Sequence, residues 1–398
     1  MTGTTVDIIG AGMAGLTAAL AFARLGWTVR VREQAPELLD VGAGLQLSPN
    51  ATRILFALGL GDALSSVMHR PGRISLASGQ SLQTIAYVPV GDEAERRWGA
   101  PYGVIHRADL QGALFAAVQV HENCRVELGA QVGPDDIGDS DADLIVLGDG
   151  VWSANRQRLK AAGQPSFTGL VAWRFLVDAA DAVSFLDPAN VTAFMAPESH
   201  LVAYPVKGGS QVNMVAITTG ADPGPDWSHA TSSENRAQLF ERFHRWHPTL
   251  RMTMCDAGAM TYWPLYQLSD GAYFDGGKTA LIGDAAHAMS PIGGIGINLA
   301  VQDAVATANL LWRPLREGTL SSDDLAAVER RREWPTKVTQ WLQVQAQNRI
   351  IAPTLRSSRP LRAPWILRHL SDIPLLRDIP ARAVGLGVRP EHIRSPAA

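Results

Sequence analysis

Residues 5 to 34 read TVDIIGAGMAGLTAALAFARLGWTVRVREQ, the layout of an apolar strand, a glycine turn, a helix and a second strand. The strand Val6 to Ile9 runs into Gly10, Gly12 and Gly15, which supply G-x-G-x-x-G, and Thr28 to Glu33 alternates as the second strand. Each glycine has a mechanical reason: a tight turn at Gly10, close backbone approach to a pyrophosphate at Gly12, and close helix-to-strand packing at Gly15. The free amides of the helix that begins around Ala14 then face the phosphates, where the helix dipole adds to the attraction. Glu33 closes the second strand eighteen residues after Gly15. A carboxylate there accepts hydrogen bonds from ribose hydroxyls and disfavours a 2′-phosphate. The unit therefore predicts a dinucleotide with a free ribose, FAD or NAD.

The rest of the composition narrows the class. A chain of 398 residues suits two or three lobes, and 46% hydrophobic with 18% charged residues is the balance of a globular protein. The net charge of −3, with scattered lysine and arginine, leaves no footprint for nucleic acid. Cys124 and Cys255 form no C-x-x-C pair and no metal-ligand spacing, so no metal is expected and a reducing, cytoplasmic setting fits. The first apolar run is broken by Gly10, Gly12, Gly15 and Arg24 before it could span a bilayer, so no integral membrane segment is expected.

Three later motifs separate FAD from NAD. IHRADLQGALF puts Arg107 at the entrance of a helix whose apolar face is Leu110, Leu114 and Phe115; alone, Arg107 reads as a solvated helix-entry charge. DLIVLGDGVWSANRQRL runs a buried-looking strand, Leu144 to Leu147, into Gly148, Asp149 and Gly150, which alone reads as a turn. TALIGDAAH repeats the pattern, Thr279 to Ile282 leading into Gly283-Asp284, and Pro291 to Gly296 then open a helix from Ile297 to Trp312. Glycine weakens a helix by roughly 1 kcal/mol against alanine. Loading this entrance with Gly293, Gly294 and Gly296 makes sense where amides and the positive helix end approach a planar ring, with Asp284 accepting from a sugar-alcohol hydroxyl. A reduced flavin carries negative charge at N1 and gains from such a helix end; NAD does not need it.

At these residues the chain resembles the class A flavoprotein aromatic hydroxylases, FAD monooxygenases of the p-hydroxybenzoate and salicylate hydroxylase type. The resemblance rests on GAGMAG with Glu33, VGAGLQLSPNA (Val41 to Ala51), HRADL with Arg107, GDGVWSANR, and GDAAHAMSPIGGIGINLAVQDA, in the family's order. It implies that Arg107 lies near the FAD ribityl and pyrophosphate chain, and that Asp149 belongs to a turn serving both FAD and transient NADH or NADPH. It further implies that Asp284 holds the ribityl chain, and that Pro291, Gly294, Gly296, Ile297 and Asn298 line the isoalloxazine ring. The implied reaction is hydride transfer to FAD, O2 addition at flavin C4a, and hydroxylation of an aromatic or heteroaromatic small molecule. No second strand-linked glycine fingerprint follows residue 150, so the nicotinamide reductant has no domain of its own. The chain departs from many salicylate-type members in carrying Ile295-Gly296-Ile297 where they carry Gln-Gly-Ala. Epoxidation, drug or polyketide modification, and a non-catalytic FAD-fold binding protein are the alternatives.

The expected fold is α/β, a Rossmann-like FAD-binding lobe (1–72, 98–166 and 270–350) with an inserted mixed β-sheet substrate lobe (73–97 and 167–269). A hairpin is expected between Arg73 and Tyr87, and strands near Val171 to Val177, Val191 to Met195, Leu201 to Val206 and Gln211 to Thr218. Residues 351–398, rich in Pro and Arg, are expected to form a helical C-terminal segment; a monomer or homodimer is expected overall. In SHLVAYPV, His200, Val202 and Tyr204 fall on one strand face. If that face roofs the flavin, His200 is the better general base for a phenolic substrate and Tyr204 a second substrate contact. Otherwise His200 is an exposed hairpin residue and Tyr204 a core aromatic. By the same resemblance, a histidine and a tyrosine at this spacing face the substrate.

Overall fold

The computed structural model describes residues 4–38, 44–158, 163–197, 199–224, 231–291, 293–346, 385, 387–394 and 396. Val41 to Ala43 of the second motif and residues 351–384 of the C-terminal segment lie outside the described residues. Two sheets organise the chain. The first has five strands, all parallel, in the order Thr279–Leu281, Leu144–Leu147, Thr5–Ile9, Thr28–Glu33 and Cys124–Leu128. A parallel strand covered on both faces reads as a continuous apolar run, and Val6, Ile8 and Ile9 are all buried. Asp7 interrupts that run and is tolerated because Arg30 (2.5 Å), Arg32 (2.7 Å) and the Ser140 hydroxyl (2.7 Å) bond its carboxylate.

All of the helix Met13–Ala23 is buried, which explains why its sequence has no polar face. It lies in one core with Leu110, Leu114 and Val118 of the helix Arg107–Gln119 and with Val301, Ala304 and Val305 of the helix Gly296–Glu317. The helix Gly296–Glu317 runs past the expected end at Trp312, through Pro314, and stops at Gly318, whose φ of +66° is the left-handed cap position.

The second sheet has seven strands in the order Met260–Gln267, Ser166–Asp178, Gln211–Thr219, Ser199–Val206, Asn190–Ala196, Arg73–Ser78 and Thr84–Pro89. Neighbours are antiparallel except Asn190–Ala196 with Arg73–Ser78. The edge strand Met260–Gln267 is the one the sequence pattern did not predict. Pro264 sits inside it beside a register shift, and proline within an apolar run reads as a break.

The two faces of this sheet part company residue by residue. Leu201 and Ala203 join Leu239, Phe243, Trp246 and Leu250 of the helical layer on the outer side. Val202 and Tyr204 join Tyr102 and Val104, the latter on the strand Gly103–His106 that pairs with Gly44–Leu47. The inner face thus meets the segment that carries the second motif. Cross-strand register sets its rows: Tyr204, Asn213 and Leu176; then Val202, Val215, Arg174 and Thr261; then His200, Ile217, Ala172 and Trp263.

Candidate active site

The first glycine turn is built as its spacing requires. Gly10 has φ +99°, and a Cβ there would come within 2.6 Å of the Gly148 carbonyl oxygen. A Cβ on Gly15 would fall 1.9 Å from the Gly10 oxygen. At Gly12 a Cβ would meet nothing within 4 Å. The crowded glycines hold strand, turn and helix together, while Gly12 opens onto free space. The helix amide of Leu16 bonds back to the Gly12 carbonyl (2.9 Å), leaving those of Met13, Ala14 and Gly15 without an acceptor among the described residues. Ala14 itself is buried and packs toward Gly283, where a Cβ would lie 3.0 Å from the Ala14 methyl. Glu33 bends over the same turn, accepting from the amides of Ala11 (2.7 Å) and Ala35 (2.9 Å).

The two aspartate turns are stitched to each other by a residue whose role the sequence pattern did not disclose. Arg156, 3% exposed, donates from Nε to the Ala285 carbonyl (2.6 Å), from Nη2 to the Asp284 carbonyl (2.9 Å) and from Nη1 to the Val151 carbonyl (3.2 Å). Asp149 accepts from Ser153 (2.8 Å) and Asn155 (2.9 Å) through Oδ2, and its Oδ1 is buried without a partner. Burial raises the Asp149 pKa against these hydrogen bonds. Asp284 is exposed to solvent. Desolvation raises its pKa, and His287, Arg107 and Arg156 pull the other way. Arg107, first residue of its helix, thus shares a field with Asp284.

The loop before the long helix is left-handed at Gly293 (φ +86°) and Gly294 (φ +63°). Pro291, Gly294, Gly296 and Ile297 are partly exposed, and the amides of Gly296 and Ile297 have no acceptor among the described residues. Asn298 is the buried clasp behind them. Its Nδ2 donates to the carbonyls of Gly294 (2.9 Å) and Gln46 (3.0 Å), and its Oδ1 accepts from the Ser48 amide (2.9 Å).

Gln46 carries the connection onward to the sheet. A Cβ on Gly294 would touch the Gln46 side chain at 3.1 Å. Tyr102 donates to Gln46 Oε1 at 2.6 Å and packs in one cluster with Tyr204. Tyr204 packs so closely on Gly44 that a Cβ there would lie 2.4 Å from its ring. The Gly44 amide donates to Asn213 Oδ1 (2.7 Å), and Asn213 Nδ2 is buried without a partner. Burial raises the pKa of both tyrosines. His200 is 4% exposed, so it is not an exposed hairpin residue; its Nδ1 has no partner and burial lowers its pKa to about 4. Sequence reasoning found His200 and Tyr204 but not Gln46, Tyr102, Asn213 or Arg174. A signal existed for two of them, since a lone Asn or Arg inside a buried apolar strand demands a partner.

A second missed set lies under the Gly283 turn. Asp303, 1% exposed, accepts from the Gly283 amide (3.0 Å) and from Arg332 Nε (2.7 Å), and its Oδ2 lies 2.5 Å from His287 Nε2. Glu391 adds a carboxylate, paired with Arg331 at 2.5 and 2.9 Å and with Arg332 at 3.6 Å. Burial pushes the Asp303 pKa up, but His287 and Arg332 outweigh it and hold the carboxyl at about 2.

These features suit a dinucleotide flavin. The open Gly12 turn with unengaged amides can take a pyrophosphate, Glu33 a ribose, and the partly exposed loop at Gly296 a planar ring. A family model for an FAD binding domain matches residues 3–342. The 3-amino-4-hydroxybenzoate 2-monooxygenase of Streptomyces cremeus is 35% identical over 77% of this chain and 78% of its own. The 3-hydroxybenzoate 6-hydroxylase 1 of Aquipseudomonas alcaligenes is 32% identical over 77% of this chain and 80% of its own. A solved salicylate hydroxylase substrate complex shares the fold, with a TM-score of 0.73 at 22% identity over 98% of this chain and 99% of that one.

Proposed function

The chain belongs to the FAD-binding domain family and is a class A FAD-dependent monooxygenase, and from that premise we propose that it hydroxylates a hydroxylated aromatic carboxylic acid. NADH or NADPH and O2 are the co-substrates. The observation that carries this reading is Gln46, which reaches the ring-side loop through Asn298 and the sheet face through Tyr102, packed in one cluster with Tyr204. Cofactor cradle and substrate face meet at that one residue. The relatives' named substrates, both amino- or hydroxybenzoates, supply the class.

The Gly10 to Gly15 turn with Ala14 would hold the pyrophosphate and Glu33 the ribose. Arg107, Asp149 and Asp284 would hold the ribityl region, and Pro291, Gly294, Gly296, Ile297 and Asn298 the ring. When bound, FAD supplies the reducible ring that accepts hydride and activates O2. The chain's own part is to exclude water, orient the aromatic ring and receive its hydroxyl proton. His200 enters that task neutral, because burial holds its pKa near 4 in the ligand-free protein. An uncharged imidazole can accept the substrate's hydrogen bond, and a phenolate forming beside it raises its basicity, since opposite charge favours imidazolium. Tyr204 supplies the second polar contact. The two-lobe division at 1–72, 98–166 and 270–350 against 73–97 and 167–269 is proposed with this reading, as are a cytoplasmic setting and a monomer or homodimer.

The test is a panel of hydroxylated benzoates and pyridine carboxylates added to the purified FAD form, scored for accelerated NADH or NADPH oxidation and for the hydroxylated product. A panel in which no compound accelerates oxidation would remove the hydroxylase reading. His200→Ala is expected to lower turnover by about 10²-fold or more if the proton passes through it. Unchanged turnover and unchanged binding would end its role.

A further inference from the structure

Residues 387–394 tie three helices together at a distance in sequence from every flavin motif. Glu391 is 2% exposed, and its carboxylate meets Arg331 at 2.5 and 2.9 Å and Arg332 at 3.6 Å, both on the helix Ser322–Ala346. Its backbone carbonyl accepts from Arg53 Nη2 (3.2 Å) on the helix Pro49–Leu55. The next carbonyl, of His392, accepts from Asn309 Nδ2 (2.6 Å), and the Arg394 amide donates to Asn309 Oδ1 (2.8 Å). Asn309 belongs to the long helix Gly296–Glu317, so its side-chain amide pairs with this segment much as a neighbouring strand would. Upstream, Gly387 takes a left-handed φ of +65° against Asn50, where a Cβ would lie 3.3 Å from Nδ2.

Two lines run from this clasp to the turns assigned to the cofactor. The first is charge. Arg332 is fully buried between two carboxylates, Glu391 and Asp303, and Asp303 in turn accepts from the Gly283 amide (3.0 Å). A buried guanidinium must be neutralised where it stands. With Glu391 sharing that task, Asp303 keeps one oxygen for Arg332 and the other for the Gly283 amide and His287. The second line is packing. Asn50, behind Gly387, accepts from the Ser48 hydroxyl; the Ser48 amide donates to Asn298 Oδ1 (2.9 Å), and Asn298 Nδ2 holds the Gly294 carbonyl (2.9 Å). Coupling between distant sites travels through contiguous bonded and packed groups, and both lines are contiguous.

We propose that Glu391 is a positioning residue for the cofactor: it fixes Arg332 on Asp303, and with it the Gly283 turn, while its segment braces the helix behind the Gly294 loop. This rests on the cofactor assignment above and not on the choice of substrate. The test titrates the full-length apoprotein with FAD by flavin fluorescence, below the melting temperature of each variant, and records the visible circular dichroism of the bound flavin at saturation. Glu391→Gln is expected to raise the FAD Kd by about tenfold or more and to alter the flavin dichroism. Glu391→Asp, which keeps the charge one methylene short, recovers part of the affinity. A Glu391→Gln protein whose Kd stays within about twofold of wild type overturns the proposal, however far its melting temperature falls, because the carboxylate then serves the fold alone. A raised Kd with wild-type dichroism overturns it as well, since the turns would not have moved. Should Glu391→Gln not fold, Asn309→Ala frees the same segment without removing a charge, and an unchanged Kd and dichroism there overturn the proposal. A wild type that takes up no FAD brings down the cofactor assignment itself, whereas one that binds FAD no better than Glu391→Gln brings down only the positioning role.

Discussion

Two polar regions of the molecule are finished to different degrees. Under the Gly283 turn, Asp303, His287, Arg332, Glu391 and Arg331 set charge against charge, even though the Arg332 Nη atoms and His287 Nδ1 keep no hydrogen bond. On the sheet face, Arg174 has no counter-charge among the described residues, and Asn213 Nδ2 and His200 Nδ1 have no partner. Leaving a buried donor unmet costs about 1–3 kcal/mol. The network is therefore where the fold draws stability, and the sheet face is where it accepts a cost that a ligand can remove.

The largest expected effect follows from breaking the paired side. Asp303→Asn leaves His287 and Arg332 without their carboxylate, and removing one partner of a buried pair costs about 3–5 kcal/mol. Urea unfolding of the FAD form should show that loss. A change below about 1 kcal/mol would erase the contrast between the two regions. The pH dependence sharpens it. Asp303 is held at about 2, below the roughly 3.9 of an unfolded aspartate. Its contribution is present above about pH 4 and is lost as pH falls toward 2. In Asp303→Asn that acid window flattens.

The contrast also explains what the sequence made visible. Four strands of the parallel sheet were legible, the first two because Gly10, Gly12 and Gly15 carry their meaning locally, within one strand, turn and helix; the edge strand Cys124–Leu128 was not. The hairpin and the Ser199–Val206 and Gln211–Thr219 pair were legible from alternation around glycine turns. The strand Met260–Gln267 was hidden by Pro264, whose placement on a sheet edge only the fold discloses. The Asp303 network was hidden for a different reason. His287, Asp303, Arg332 and Glu391 are scattered over more than a hundred positions, and each alone reads as a surface charge. Arg174 in VAWRFLV and Asn213 in QVNMVAI were half legible: the strands declare burial, but no spacing names a partner.

Filled and unfilled space differ in the same way at the glycine turn, with a smaller effect. Gly15→Ala puts a methyl 1.9 Å from a backbone oxygen, and overpacking of this kind costs about 1–3 kcal/mol. Gly12→Ala meets no protein atom, so its stability without FAD should stay within about 0.5 kcal/mol of wild type. Its FAD affinity should nevertheless fall, by about tenfold or more if the methyl occupies the pyrophosphate's place. Apo-protein melting and FAD titration separate the two substitutions. Equal FAD affinity in Gly12→Ala and wild type would mean that the open space is not the cradle.

The smallest effect, up to about 1.4 kcal/mol at pH 5.5, probes the unfinished side. His200 has a folded pKa of about 4 against roughly 6.5 unfolded, so the unfolded chain binds its proton first as pH falls. The stability associated with neutral His200 is complete above about pH 6.5 and is lost between there and pH 4. His200→Gln carries no such proton. Relative to this variant, ligand-free wild type should lose up to about 1.4 kcal/mol for each pH unit below 6.5. This window lies above that of Asp303, so unfolding at pH 5.5 reports on the sheet face and unfolding at pH 3 on the network. Parallel profiles for wild type and His200→Gln between pH 6.5 and 4 would mean that water already reaches the imidazole. The sheet face would then be no less satisfied than the network beneath the Gly283 turn.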